Sequence, residues 1–177
     1  MSWTGWMRRI ANVFLGGHSA SRGKGLPLDQ ITDDQFRVQN EYLQTKFRSL
    51  PSSQQRSFAI IISALEQVQE SFKNFAQNTR DRDEAQTEFN KYNAKANPDV
   101  AKYSQERAKL VVEDETFDHQ KDQIRKSLKA LGKQIIVFQS FDYNLAVDVA
   151  QKLTPLVHGI TDAAGIDRDE SSYFEVF

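Results

Sequence analysis

Two tryptophans and two arginines near the start of the chain have the spacing of a helix that lies in a membrane interface. On a 3.6-residue period, the large apolar residues of positions 1–16 fall on one side, and Arg8 and Arg9 fall on the other. Tryptophan suits this depth because its body is apolar while its ring N–H stays near water. The alternative, packing of the segment on the protein's own body, requires an open apolar groove. The residues predicted to insert into the membrane are Trp3, Trp6, Met7, Ile10, Val13 and Phe14.

Side chains that could do covalent or metal chemistry are few and scattered. His18, His119 and His158 have no partner at a ligand spacing, and the chain contains no cysteine. A glycine-rich phosphate loop after a strand is missing. Basic residues alternate with acids and match no nucleic-acid-binding module. We therefore expect no enzyme activity, no catalytic residue, no metal or cofactor, and no nucleic acid as a partner.

Composition and charge favour long helices and a peripheral location. The 177 residues include 27% charged residues, but only eight glycines and four prolines. No apolar run approaches the ~20 residues that cross a bilayer. We predict a cytoplasmic protein that binds membranes peripherally. A mitochondrial targeting peptide stays open as an alternative, because residues 1–28 are basic and contain no acid.

Glycine, serine and proline divide the chain into segments. The prediction is an amphipathic helix over 1–16, a flexible linker over 17–28, a helical domain over 29–163 and an acidic tail over 164–177. Pro51 should end a short first helix that starts at Asp29, with Asp33 as a possible cap.

Two long helices should follow, the second of them the longest in the chain. They are expected over 53–93 and 100–161, with Asp99 capping the latter after the Asn97-Pro98 turn. Gly132 and Pro155 are the expected bend points. Apolar residues of the later helix recur at sevens, which is typical of a coiled coil. That register comprises Tyr103, Leu110, Phe117, Ile124, Leu131, Phe138 and Leu145.

The apolar stripes are wide over 58–76 and 124–160 and narrow near the turn between the long helices. Antiparallel pairing then gives a two-helix arm with a thick apolar base. We expect the first helix to cover part of that base and a second copy of the chain to cover the rest. The predicted packing and dimer-core residues are Phe58, Ile62, Leu65, Phe72, Ile124, Leu128, Leu131, Ile135, Phe138 and Leu145.

Three stretches resemble the BAR domain, specifically the N-BAR class of amphiphysin and the yeast Rvs proteins. They are the opening MSWTGW, the segment FKNFAQNTRDRDEAQTEFNKY at 72–92, and the segment VAKYSQERAKLVVEDETFDHQKDQIRKSLKAL at 100–131. The resemblance implies an all-α, elongated, crescent-shaped dimer of long antiparallel coiled-coil helices, preceded by an amphipathic helix. It also implies anionic membrane lipids as partners, and a homodimer or a heterodimer with another BAR chain. Here the first helix is shorter than in the family.

Basic residues that cluster locally are the expected contacts to lipid headgroups. Each such residue is worth about 1 kcal/mol near an anionic surface. These residues are Arg8, Arg9, Lys91, Lys95, Lys102, Arg107, Lys109, Lys121, Arg125, Lys126, Lys129 and Lys133. The predicted function is binding, sensing or generating membrane curvature. The alternative is a coiled-coil structural or adaptor subunit of a larger assembly. In that case, the N-terminal segment docks on a partner or serves as a targeting peptide.

Overall fold

A computed structural model describes residues 28–94 and 99–166, and this part of the chain contains four helices and no strand. They are α1 (Leu28–Ser49), α2 (Ser52–Asn93), α3 (Val100–Phe138) and α4 (Tyr143–Ala164). The all-α prediction is confirmed for these residues. The six residues predicted to insert into the membrane, together with Arg8, Arg9, Lys95 and the tail beyond Ile166, lie outside them.

The four helices alternate in direction. Asp33 near the start of α1 approaches Lys73 of α2 at 3.4 Å, while Leu50 after α1 accepts a hydrogen bond from Gln55 at the start of α2. Phe58 of α2 contacts Phe138 at the end of α3, and Tyr42 of α1 bonds to Asp148 of α4. Each helix therefore packs antiparallel to its neighbours, as in an up-down-up-down bundle.

Every helix contributes apolar side chains to one core. Phe36 and Leu43 from α1 are fully buried, as are Phe58 and Ile61 from α2. The rings of Phe58 and Phe138 meet edge to face, with centroids 5.2 Å apart, an arrangement that aromatic pairs favour. Of the ten residues predicted to form the packing core, nine are buried and Leu145 packs against the core while half-buried.

The predicted single helix over 100–161 is wrong, because the chain turns at 139–142. Asp142 caps α4 by accepting a hydrogen bond from the Leu145 backbone N–H at 2.9 Å. The seven-residue register of α3 therefore ends at Phe138, and Leu145 belongs to a different helix. Gly132 and Pro155, the expected bend points, both lie within continuous helices, and α2 rather than α3 is the longest helix described.

The turn changes how the apolar base is covered. Once α4 folds back along α3, its buried face closes the core that α1, α2 and α3 leave open. The fully buried residues of that face include Ala146, Val149, Leu153 and Val157. The core thus needs no second chain to exclude water, and the dimer stays a prediction that must rest on some other surface.

Three helix ends have residues that commonly begin or end helices, and one predicted cap is wrong. Asp99 caps α3 as predicted, accepting from the Ala101 N–H at 2.9 Å. Gly165 ends α4 in the left-handed conformation, at φ 61°, which costs glycine little. Pro51 precedes α2, where its missing N–H matters least. Asp33 was wrong as a cap, because α1 begins earlier, at Leu28, and Asp33 instead faces α2.

Beyond the bundle, α2 and α3 continue together as an arm, which we define as residues 77–94 and 99–116. Burial on α2 stops at Ala76 and returns only at Tyr92, and burial on α3 begins at Ile124. Isolated pairs hold the arm together, such as Phe89 with Tyr103 at 5.5 Å between ring centroids. At about 1.5 Å per residue the arm is about 27 Å long. The predicted division into wide and narrow apolar stripes is confirmed.

Candidate membrane-binding surface

The tip of the arm is closed by one tyrosine. The Tyr92 hydroxyl accepts a hydrogen bond from the Asp99 backbone N–H at 2.8 Å and donates to the Asp99 carbonyl oxygen at 3.2 Å. The Tyr92 ring is buried, and the Lys102 ammonium lies 5.5 Å from its centroid. Because Asp99 also caps α3, the two helices enter and leave the turn at fixed positions.

Four of the five basic residues predicted at the tip are in the described part of the chain, and all four are exposed: Lys91, Lys102, Arg107 and Lys109. Lys91 forms an ion pair with Glu88 at 2.7 Å, which lowers the pKa of Glu88 and raises the pKa of Lys91. Lys102 and Lys109 also lower the pKa of Glu88 through their charge. The described tip thus sets four basic residues against three acids, of which Glu88 pairs with Lys91, Asp99 caps α3, and Glu106 is half-buried.

The middle of the arm and its junction with the bundle have the opposite charge. Across 77–87 and 110–120 only Arg80 and Arg82 are basic, whereas the acids are Asp81, Asp83, Glu84, Glu113, Asp114, Glu115 and Asp118. Arg82 forms an ion pair with Asp114 across the two helices, so part of this charge is paired internally. A continuous basic face along the arm does not form in the described residues.

An aromatic ring marks the junction of arm and bundle. Phe117 of α3 packs against Phe75 of α2 with centroids 5.1 Å apart. The Arg82 guanidinium lies 4.6 Å from the Phe117 centroid and the Lys121 ammonium 4.9 Å from it. Lys121, a predicted headgroup contact, is therefore half-buried and engaged with a ring.

The remaining basic residues of α3 divide into two groups. Lys126, Lys129 and Lys133 are exposed and follow one another at spacings of three and four, on the outward side of the helix. Arg125 is half-buried and forms an ion pair with Asp122 at 2.6 Å. Of the five basic residues predicted over 121–133, the structure thus aligns Lys126, Lys129 and Lys133 on one side of α3. Lys121 and Arg125 lie beside this line.

A polar clamp fixes α1 against α4. The Tyr42 hydroxyl donates to the Asp148 carboxylate at 2.6 Å, and the Lys46 ammonium lies 3.1 Å from the same carboxylate. Both contacts lower the pKa of Asp148, the tyrosine more than the lysine, while burial and the same hydrogen bond raise the pKa of Tyr42. The clamp holds the fourth helix in place without adding to the lipid surface.

Two surface grooves in the described part of the chain are lined mainly by polar residues. One lies beside α1 and is lined by charged and amide side chains such as Arg37, Glu41 and Gln69. The other lies where α1 meets the arm and is lined mainly by polar groups, with Phe72 and Ala76 at its floor. Neither is the open apolar groove that the N-terminal segment would need to pack on the body of the protein.

Two features escaped the sequence interpretation. The acids on the outward side of α3, Glu115 and Asp122, align with the lysines that follow them, and only the seven-residue spacing of polar positions could have revealed this. Phe141 and Tyr143 are exposed at the turn between α3 and α4. They were hidden because the turn itself was not expected.

The described residues contain no group of three or more side chains suited to a metal ion, and none of their helices is long and apolar enough to cross a membrane. No family model, curated protein or solved structure matches this chain. The resemblance to BAR domains therefore stays a prediction that rests on the three sequence segments.

Proposed function

We propose that this protein is a peripheral membrane protein, not an enzyme. It binds anionic bilayers through its N-terminal amphipathic segment and the basic tip of its arm, and it acts as a dimer. Two such attachment points on a rigid body favour bilayers whose curvature matches their separation, so sensing or generating curvature is part of the proposal. The location that we propose with this function is the cytoplasm.

The observation that supports it best is the position of the tip lysines. Lys91, Lys102 and Lys109 are exposed at the end of a helical arm, beyond the bundle that holds the core. Lys91 pairs with Glu88 and Lys102 lies over the Tyr92 ring, but all three side chains remain exposed to solvent, where an anionic surface could reach them. Each such cation is worth about 1 kcal/mol near an anionic bilayer and loses that value as salt increases.

The acidic middle of the arm limits how the protein can lie. An anionic surface repels Glu115 and Asp118, so we expect the arm to touch the membrane with its tip, not along its length. The N-terminal segment then supplies the apolar part of the attachment, since its tryptophans favour the interface. In a dimer the weak attachments act together, which increases binding without any new contact.

Vesicle co-sedimentation with paired variants tests this function. Lys102→Glu with Lys109→Glu reverses the tip charge, and Trp3→Ala with Trp6→Ala removes the wedge. Arg48→Glu with Arg56→Glu makes the same charge change at exposed positions at the opposite end of the bundle and serves as the matched control. The probes are vesicles of phosphatidylcholine with and without phosphatidylserine, prepared at two diameters and two salt concentrations.

We expect the tip and tryptophan variants each to reduce binding to phosphatidylserine vesicles on the order of tenfold or more. The arginine control should bind like the parent, and small vesicles should bind better than large ones. Equal binding by all three variants, independent of salt, would rule out the proposed attachment. Equal binding to small and large vesicles would contradict curvature sensing but not membrane binding.

A protein-docking adaptor is the second candidate. Phe141 and Tyr143 support it, since two exposed aromatic side chains at one turn are typical of a contact with another protein. Absence of vesicle binding by the parent protein, together with a soluble partner lost on Phe141→Ser, would favour this function.

A further inference from the structure

The outward face of α3 has a second regular stripe, made of exposed side chains. We call it the outer stripe, and its members recur at spacings of three and four along nearly seven turns. All of them are exposed: Val112, Glu115, His119, Asp122, Lys126, Lys129, Lys133 and Ile136. Such a spacing keeps one line of side chains facing the same direction, as in the seam of two packed helices.

The chemistry of the outer stripe reverses about its middle. Towards the tip it offers Val112 and then the acids Glu115 and Asp122. Towards the bundle it offers Lys126 and Lys133 and then Ile136. An apolar residue stands at each end, two acids and His119 occupy one half, and three lysines occupy the other.

We propose that a second copy of this chain binds the outer stripe, with the two α3 helices antiparallel about a two-fold axis near Ile124. This register sets Lys126 opposite Asp122, Lys133 opposite Glu115, and Ile136 opposite Val112 of the other copy. A two-fold axis repeats every pair, because residue i meets j where j meets i. One stripe therefore provides four opposite-charge pairs and two apolar pairs over about 36 Å of helix. The same register also sets His119 opposite Lys129, and this pair has no complementary charge.

Charge complementarity identifies the occupant. An anionic bilayer would attract Lys126 and Lys133 but would repel Glu115 and Asp122 on the same line. A helix with the reverse order of charges complements all four, including Asp122, which also contacts Arg125 of its own chain, and α3 itself, turned end for end, has that order. The exposed Val112 and Ile136, at 58% and 38% of their full accessibility, lose water in the same contact. We thus assign these lysines to the second copy and not to lipid.

This inference rests on the proposed function in one respect, since that function includes a dimer. The outer stripe specifies which surface forms that dimer. Each arm lies beside the bundle of the other copy, so the two bundles do not collide. The basic tips then point in opposite directions, roughly 80 Å apart, given about 27 residues between the axis and each tip. Two separated tips are what the proposed attachment to a curved surface requires.

Charge swaps test the interface in solution without any membrane. Variant A, Lys126→Glu with Lys133→Glu, makes every charged position of the stripe acidic except Lys129. Variant B, Glu115→Lys with Asp122→Lys, makes every charged position basic. The control, Lys102→Glu with Lys109→Glu, has the charge change of variant A but lies at the tip. Molar mass is measured by sedimentation for each protein and for an equimolar mixture of A and B, with helicity followed by circular dichroism.

The parent and the control should form dimers with similar dissociation constants. Variants A and B alone should each dimerise more weakly by on the order of a hundredfold, since four attractive pairs become repulsive. The mixture of A and B should form a one-to-one heterodimer, which shows that both variants fold. A monomeric parent, or variants A and B that dimerise like the parent, would overturn the interface. If variants A and B dimerise like the parent while all of these proteins still bind phosphatidylserine vesicles, the interface fails and the proposed membrane binding stands.

Discussion

The bundle and the arm are built from the same two helices, yet they are held together in different ways. In the bundle, α2 and α3 bury a broad face because α1 and α4 cover it, and side chains such as Phe58 and Leu131 lose all contact with water. In the arm, the same helices meet along a narrow line of half-buried rings, salt bridges and one tyrosine at the tip. The bundle supplies stability, whereas the arm supplies exposed charge at a distance from it.

The largest expected difference between the two regions comes from removing one aromatic ring in each. Phe58→Ala should lower the free energy of unfolding by about 4 kcal/mol, since the ring is fully buried and leaves a cavity. Phe89→Ala should cost roughly 1 kcal/mol, because its ring is half-buried and water can reach the space. Urea denaturation of both variants measures the difference. Equal losses would show that the arm contributes to stability as much as the bundle does.

The two aspartate caps allow a finer comparison of the same regions. Asp142→Ala and Asp99→Ala each remove a side chain that caps a helix, worth about 1 kcal/mol. We expect the first loss to appear in global unfolding, because α4 belongs to the core. The second should appear mainly as faster amide hydrogen exchange near the tip, with little change in the urea midpoint. Faster exchange throughout the chain in Asp99→Ala would show that arm and bundle unfold as one unit.

The effect expected at the clamp between α1 and α4 is similar to that of a cap at pH 7 and becomes the smallest in acid. Since the pKa of Asp148 is lowered in the folded state, its carboxylate stabilises the fold above its unfolded pKa of about 4. That stabilisation is lost as pH falls through the lower folded value. Asp148→Asn should therefore cost about 1 kcal/mol at pH 7, because the side chain is half-exposed, and little at pH 2. A loss that stays constant across this range would contradict the clamp.

Much of the fold follows from patterns that are local in the chain. The apolar stripe of 58–76, the Asn97-Pro98 turn and the cap at Asp99 correctly predicted two long antiparallel helices with a thick base and a thin arm. The turn at 139–142 was not predicted, because the seven-residue register passes through Phe138 to Leu145 without a break. Helical period alone does not distinguish a continuous helix from two helices whose apolar faces happen to be in phase.

The candidate site was predicted residue by residue but not as a surface. Lysines near the tip were identified correctly as exposed, and Lys126, Lys129 and Lys133 as a group. Lys121 and Arg125 were placed in the same group, although the structure engages one with the Phe117 ring and the other with Asp122. Sequence spacing shows which residues share a side of a helix, but it does not show which of them a neighbouring element will use.

The sequence by itself determined the helical class, the position of the apolar base and the amphipathic character of residues 1–16, because these depend on the order of side chains along one helix. Only the tertiary structure decided that α4 closes the core. Burial depends on which elements meet in space, and the four-residue turn at 139–142 brings α4 back over α3. With the core closed inside one chain, the surface we propose for a second copy lies outside the core, on the charged outer stripe of α3.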